Sequence, residues 1–254
     1  MFGSDRRAMF KIKRILAGLV FYCSVIFLTL FWSLSIIISA LLPEFTKNAR
    51  SNRGHAMAGI WGRTMFGIMP GWHVYVEGRE NIPANNDPVV VVANHESLVD
   101  ILVIYFLKMQ FRWLSKDSVM RIPILGRAMR ICGHIPLKRG EKSSHEVALR
   151  ASAEWLQRGI SMFFFPEGTR SEIPGQMRPF KVGAFKLSAE CGVDVLPIAL
   201  TGAGKVFRKG GKLPDAATVK IKVLPRTRRL EGETYEAYAS RVRSMIESAL
   251  TGMA

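Results

Sequence analysis

The apolar and polar positions of this chain fall into two regimes. Residues 15–42 carry no charged side chain, an apolar run of 28 residues. As a helix that run would reach roughly 40 Å, against a bilayer hydrocarbon core of about 30 Å. From residue 73 onward, short apolar runs alternate with segments whose apolar residues recur at three- and four-residue steps. The runs at 73–76, 89–92, 111–115, 132–137, 161–165, 195–200 and 219–224 predict strands. The segments 98–109, 144–158, 183–191 and 234–250 predict helices, and 118–131 predicts a helical stretch broken at Pro123 and Gly126. Alternation of this kind predicts an α/β fold, a largely parallel sheet flanked by helices, behind an N-terminal hydrophobic membrane helix. The natural division is 1–72, a membrane anchor with an amphipathic helical segment, and 73–254, the sheet-bearing domain.

Residues 45–71 join the two parts. Arg50, Arg53 and Arg63 are interspersed with Met57, Ile60, Trp61, Met65, Phe66 and Ile68. This is the pattern of a basic amphipathic helix suited to lying on a membrane, with a helix packed on the core as the alternative.

Charge sharpens the first regime. Lys and Arg number 36 against 20 Asp and Glu, a formal net charge of +16, in a chain that is 48% hydrophobic. Such a chain calls for an anionic partner, nucleic acid or a membrane surface. No nucleic-acid-binding motif accompanies the charge, whereas Arg6, Arg7, Lys11, Lys13 and Arg14 stand directly before the apolar run, so the expected partner is membrane lipid. That run is too long for the apolar region of a cleaved signal, and its basic flank favours a cytoplasmic amino terminus. A helix that crosses once and one that dips and returns at Pro43 both remain open. Three cysteines, Cys23, Cys132 and Cys191, indicate no disulfide framework, which suits a reducing compartment.

Candidate chemistry lies at the strand ends. The stretch VVVVANHESLVD at 89–100 runs four valines into Asn94-His95, with Asp100 five residues after the histidine. Ligands of open α/β sheets bind at the carboxyl ends of strands, which makes His95 a candidate. On one continuous helix i and i+5 point about 140° apart, so Asp100 meets the imidazole only across a bend. Ser97 and Asp100 also fit a helix capping box, in which Asp100 merely reaches back to the backbone. A second turn, FFFPEGTRS at 163–171, presents Glu167 and Arg170 beyond another apolar strand. GHIPLKRG at 133–140 delivers Lys138 and Arg139, and Lys181 follows. These cations either converge on one anionic substrate or belong to a solvated basic face. The histidines at 55, 73, 95, 134 and 145 show no metal-ligand spacing, so no metal and no cofactor is expected.

Four blocks, NHESLVD at 94–100, GHIPLKRG at 133–140, FPEGTRS at 165–171 and VLPIAL at 195–200, resemble in kind and order those of the membrane-bound glycerolipid acyltransferases, which include the 1-acylglycerol-3-phosphate acyltransferases. Pro136 and Lys138 depart from the family's second block. The resemblance implies transfer of a fatty acyl group from acyl-CoA or acyl carrier protein, as co-substrate, to the sn-2 hydroxyl of 1-acylglycerol 3-phosphate, forming phosphatidic acid. In that reaction His95 is the general base and Asp100 fixes its tautomer. It also assigns Arg170 to the acceptor phosphate, Glu167, Gly168 and Thr169 to the shape of the pocket, and Arg139 to a second phosphate contact. Backbone amides at the start of the helix after His95 are candidate oxyanion donors. Glycerol 3-phosphate, another lysophospholipid or a lyso-aminolipid are alternative acceptors, and a non-catalytic basic lipid-binding protein is the alternative outside enzymes. The expected location is the cytoplasmic membrane, with the site at its cytoplasmic face.

Overall fold

The structure, a computed structural model, describes residues 2–46, 48–69, 71–84, 87–138, 140–171, 176–206 and 214–253, with the backbone alone at 2–15 and 17. Eight helices and seven strands alternate along the described residues: α1 (Phe2–Ser39), α2 (Ala49–Gly67), β1 (Trp72–Glu77), β2 (Val90–Ala93), α3 (Asp100–Val103), β3 (Phe111–Lys116), α4 (Asp117–Met120), α5 (Leu125–Ile131), β4 (Ile135–Leu137), α6 (Lys142–Gln157), β5 (Ser161–Phe164), α7 (Gly183–Cys191), β6 (Val195–Thr201), β7 (Ala217–Val223) and α8 (Tyr235–Thr251).

The strands form one sheet in the order β1-β7-β6-β2-β5-β3-β4. β6, β2, β5, β3 and β4 run parallel, and β1 runs parallel to β7. Only the β6–β7 pair is antiparallel, so the sheet is largely parallel as expected, with a reversed edge. β2 sits between β6 and β5 and is buried along its whole length. Its β-branched side chains serve two cores at once: Val91 and Ala93 face the cluster that takes in α2 and α3, while Val90 and Val92 face the one built with α6, α7 and α8.

Two expected elements are shorter than the sequence suggests. The helix expected at 98–109 is α3 followed by a 3₁₀ turn at Ile104–Leu107, because 96–99 is held as a turn by Asp100 and Lys108 ends the segment in the left-handed region. The strand expected at 132–137 begins only at Ile135. Gly133, at φ 81°, closes α5 there, and the His134 amide returns to the Met129 carbonyl at 3.1 Å.

The apolar run is the greater part of α1, and its stretch Gly18–Ser39, with a mean hydropathy of 2.2, is long and apolar enough to cross a membrane. α1 and α2 lie antiparallel, joined by the Trp61 indole donating to Thr29 Oγ1 at 3.3 Å and by Ile36 beside Gly54. The arginines of α2 are turned onto protein. Arg53 donates to the carbonyls of Ser39 and Leu42 at the end of α1, Arg63 donates to the Tyr105 carbonyl, and Arg50 pairs with Glu44 at 2.8 Å. Gly62 lets α2 lie close on α3 and the 3₁₀ turn after it, since a Cβ there would sit 2.6 Å from the Tyr105 ring and 3.2 Å from the Leu102 carbonyl oxygen.

Candidate active site

The carboxyl ends of β2 and β5 lie side by side, and each delivers one turn to the same place. β2 passes through Asn94, whose side chain imitates a strand neighbour. Its Nδ2 donates to the Leu200 carbonyl and its Oδ1 accepts from the Leu200 amide, each at 2.8 Å, fastening the end of β2 to β6. The chain then bends, and the bend brings Asp100 under His95. Nδ1 of His95 and Oδ2 of Asp100 lie 2.8 Å apart, with Asp100 fully buried. The same Oδ2 accepts from the amides of Glu96 at 2.8 Å and Ser97 at 2.9 Å. The capping reading and the tautomer-fixing reading are therefore two functions of one oxygen. These contacts engage the Glu96 and Ser97 amides, the first two backbone donors after His95.

With Nδ1–H committed to Asp100, the His95 lone pair lies on Nε2. The ring is stacked on Phe165, with centroids 4.0 Å apart and planes at 17°, so one face is shielded by an apolar group. The imidazole remains 10% exposed. It is thus fixed in place by Asp100 and Phe165 while keeping a small exposed surface.

The FPEGTRS turn is tied to this histidine at two points. Glu167, buried, accepts from the His95 amide through Oε1 at 2.8 Å and from the Arg178 amide through Oε2 at 2.9 Å. The Ser171 amide donates to the His95 carbonyl at 3.0 Å. Both carboxylate oxygens of Glu167 are thus engaged by backbone amides, and the carboxylate is a splice between three segments. Burial pushes its pKa up, while the two amides pull the other way. Gly168, at φ 74°, makes the turn that a side chain would strain, and the stem of Lys181 lies across it. Thr169 and Arg170 are exposed beyond it, and the Arg170 guanidinium has no hydrogen-bond or ion-pair partner among the described residues. A cation left unengaged beside a fixed histidine is suited to a ligand anion.

Other expected groups lie apart. Lys138 follows β4, two strands beyond β5, and pairs with Glu141 at 3.5 Å. Arg139 lies outside the described residues. Glu96 was not singled out from the sequence, yet burial first and the Asp100 carboxylate second push its pKa up to about 7, against a hydrogen bond from the Gly204 backbone. Asn94, Phe165 and Ser171 were likewise missed as site residues. All three stand inside the 94–100 and 165–171 blocks, but their spacing alone gives none of them a role.

Comparison with known proteins gives a consistent set of relatives. The sequence model of the Acyltransferase family matches residues 73–201. The chloroplastic 1-acyl-sn-glycerol-3-phosphate acyltransferase of Arabidopsis thaliana is 41% identical over 62% of this chain and 44% of its own length, so the match spans less than half of that relative. A 1-acyl-sn-glycerol-3-phosphate acyltransferase of Chlamydomonas reinhardtii is 34% identical over 86% of this chain and 66% of its own. Among solved structures, the crystal structure of the 1-acyl-sn-glycerophosphate acyltransferase of Thermotoga maritima superposes with a TM-score of 0.79 at 25% identity, covering 95% of this chain and 97% of that one.

Proposed function

The chain belongs to the Acyltransferase family, and from that premise we propose that it moves a fatty acyl group from an acyl thioester to the sn-2 hydroxyl of 1-acyl-sn-glycerol 3-phosphate, forming phosphatidic acid. The observation that carries this reading is the His95–Asp100 pair at 2.8 Å, with the FPEGTRS turn spliced to the same histidine. The relatives' names supply the acceptor.

The chemistry follows from the geometry. An alcohol is too weak an acid to ionise near neutral pH, so its attack on a thioester needs a base in contact. Nε2 of His95 takes the hydroxyl proton as the oxygen bonds to the thioester carbonyl carbon, and Asp100 Oδ2 stabilises the imidazolium that forms. The tetrahedral oxyanion collapses, the carbon–sulfur bond breaks, and the leaving thiolate takes the proton back from Nε2. No acyl-enzyme is required, since the acceptor's own hydroxyl stands where a serine would in a hydrolase triad. Arg170, beyond the splice, holds the acceptor phosphate, and Gly168 and Thr169 shape its approach. The donor is an acyl-CoA or acyl carrier protein, and the reaction takes place at the cytoplasmic face of a membrane to which α1 holds the enzyme.

The test is direct. The full chain is purified in detergent and given oleoyl-CoA, or oleoyl carrier protein, with 1-oleoylglycerol 3-phosphate, and phosphatidic acid is measured. Wild type should form it, and His95→Ala, checked to be folded, should lose activity by at least about 10³-fold. Comparable turnover in the variant removes His95 as base, and a folded wild type inactive with both donors removes the reaction.

A further inference from the structure

Between α4 and α5 the chain makes a knuckle that packing against its own fold does not account for. Ile122 and Ile124 are 47% and 36% exposed, with Pro123 exposed between them. Ile124 holds φ 64° and ψ −63°. Across it the Leu125 amide donates to the Pro123 carbonyl at 2.7 Å, a three-residue turn of positive φ that strains a β-branched residue. Turns of this kind in ordinary solvated loops take Gly or Asn.

The knuckle is also braced. The Gly126 amide donates to the Ile122 carbonyl at 2.8 Å, and Arg130 Nη1 donates to the Met120 carbonyl at 2.6 Å. Gly126 allows the chain to close so tightly, since a Cβ there would lie 2.0 Å from the Met120 carbonyl oxygen. Apolar exposure is thus built into a rigid turn, which loses little conformational freedom on being covered.

Its surroundings indicate what covers it. Arg121 is mostly exposed while paired with Asp117 at 2.7 Å, and Arg127 is exposed on the first turn of α5. α5 packs along α1, whose Gly18–Ser39 stretch is the candidate span. The knuckle follows β3, whose carboxyl end shares one edge of the sheet with that of β2, where Leu98, 61% exposed, stands three residues beyond His95. Two outward isoleucines, a flank of guanidinium groups and an adjoining apolar helix match a lipid surface better than a protein partner.

We propose that residues 121–127 form a second membrane contact, in which Ile122 and Ile124 enter the acyl region of an anionic bilayer while Arg121 and Arg127 meet headgroup phosphates. α1 alone is one axis about which the domain would swing. A second contact at the sheet edge fixes the orientation and holds the His95 end against the lipid. This contact does not depend on the reaction assigned above, and its test reads depth, not turnover.

The experiment uses the full chain with Cys23→Ser and Cys191→Ser. Cys132 is buried, with its thiol pushed up to about 12 by that burial, so it stays unlabelled. A nitrobenzoxadiazole probe is attached at Ile122→Cys, at Ile124→Cys in a second protein, and at Val147→Cys, an exposed site on α6 across the sheet, as a control. Each is reconstituted into phosphatidylcholine–phosphatidylglycerol vesicles with and without nitroxide on the acyl chains. Probes at 122 and 124 should emit to the blue of the 147 probe, be quenched by the nitroxide lipid and be protected from aqueous iodide. Folded protein in which the 122 and 124 probes match the 147 probe overturns the contact. Equal insertion in vesicles of phosphatidylcholine alone overturns the role given to the arginines.

Discussion

At the scale of single residues, the site depends on how many contacts one atom can hold. Asp100 Oδ2 accepts from two amides and faces the His95 ring, so the bend that brings His95 and Asp100 together is made by the carboxylate that bend positions. Glu167 repeats the device on the neighbouring strand, one oxygen on each of two distant amides. Arg170 is the opposite case, exposed and unengaged among the described residues. A group that holds nothing in the fold can be removed without disturbing it, which makes its assignment easy to test. Arg170→Ala should leave thermal stability within about 0.5 kcal/mol of wild type. It should raise KM for the lysophospholipid by roughly 10–100-fold, the loss of a charge-assisted pair of about 1.5–3 kcal/mol, with KM for the thioester little changed. Steady-state kinetics varying each substrate in turn decide it, and equal effects on the two would remove Arg170 from the acceptor phosphate.

At the scale of elements, α2, β3 and the α5–β4 turn meet over a polar cluster that the proposed reaction does not use. Arg112 is fully buried on β3, bonded to Gln110, Phe111, Ser51 and Asn52, all neutral, with its guanidinium 5.0 Å from the Trp155 ring centroid. Beside it lie His55 and His134, their ring centroids 6.0 Å apart. Burial first, then the Arg112 charge, hold His134 down to about 3 and His55 well below its ordinary value. In the unfolded chain both take a proton near pH 6.5, so below that pH the unfolded state binds more protons. The stability from keeping them neutral is complete above about pH 6.5 and is lost as pH falls toward the folded value. Replacing His134 by Phe should lower the dependence of unfolding free energy on pH between about 6 and 4 by close to 1.4 kcal/mol per pH unit, one proton's worth. Denaturant titrations across that range measure it, and an unchanged slope would mean that His134 is not held neutral. Nothing in the sequence announced this cluster. Arg112 stands in a strand like any edge cation, and only the arrival of Ser51 and Asn52 from sixty residues upstream buries it. Most strands were legible because short apolar runs bounded by turn residues alternate with helical spacing, β2 most clearly from its run of valines. The direction of β7 was not, since its alternation of Val219, Ile221 and Val223 with lysines is the same whichever way it pairs.

For the whole molecule, the question is whether α1 is a tether or part of the fold. The sequence presents it as a tether, an apolar run followed by an independent α/β domain. Its packing indicates more than that. Phe21 and Ile36 are buried against the rest of the chain, the Phe21 ring lies 6.3 Å from that of Trp72 at the start of β1, and Ile36 meets the contact between Gly54 of α2 and Cys132 beyond α5. Arg53, from α2, donates to the carbonyl of Ser39, the last residue of α1, and to that of Leu42 just beyond it, tying the end of α1 to α2. Removing residues 1–42 therefore takes away the candidate span and also uncovers the side of α2 that α1 protects. A pure tether would leave a stable domain that merely leaves the membrane. This packing instead predicts a truncated protein that loses membrane partitioning and is also less stable, by about 2 kcal/mol or more from the uncovered apolar surface, or roughly 4–8 °C in thermal midpoint. Flotation through a density gradient reads the first effect and thermal unfolding in matched detergent the second. A truncated chain that detaches with an unchanged midpoint would make α1 a tether after all, and the orientation of the His95 edge would then depend on the α/β fold's own contacts with lipid.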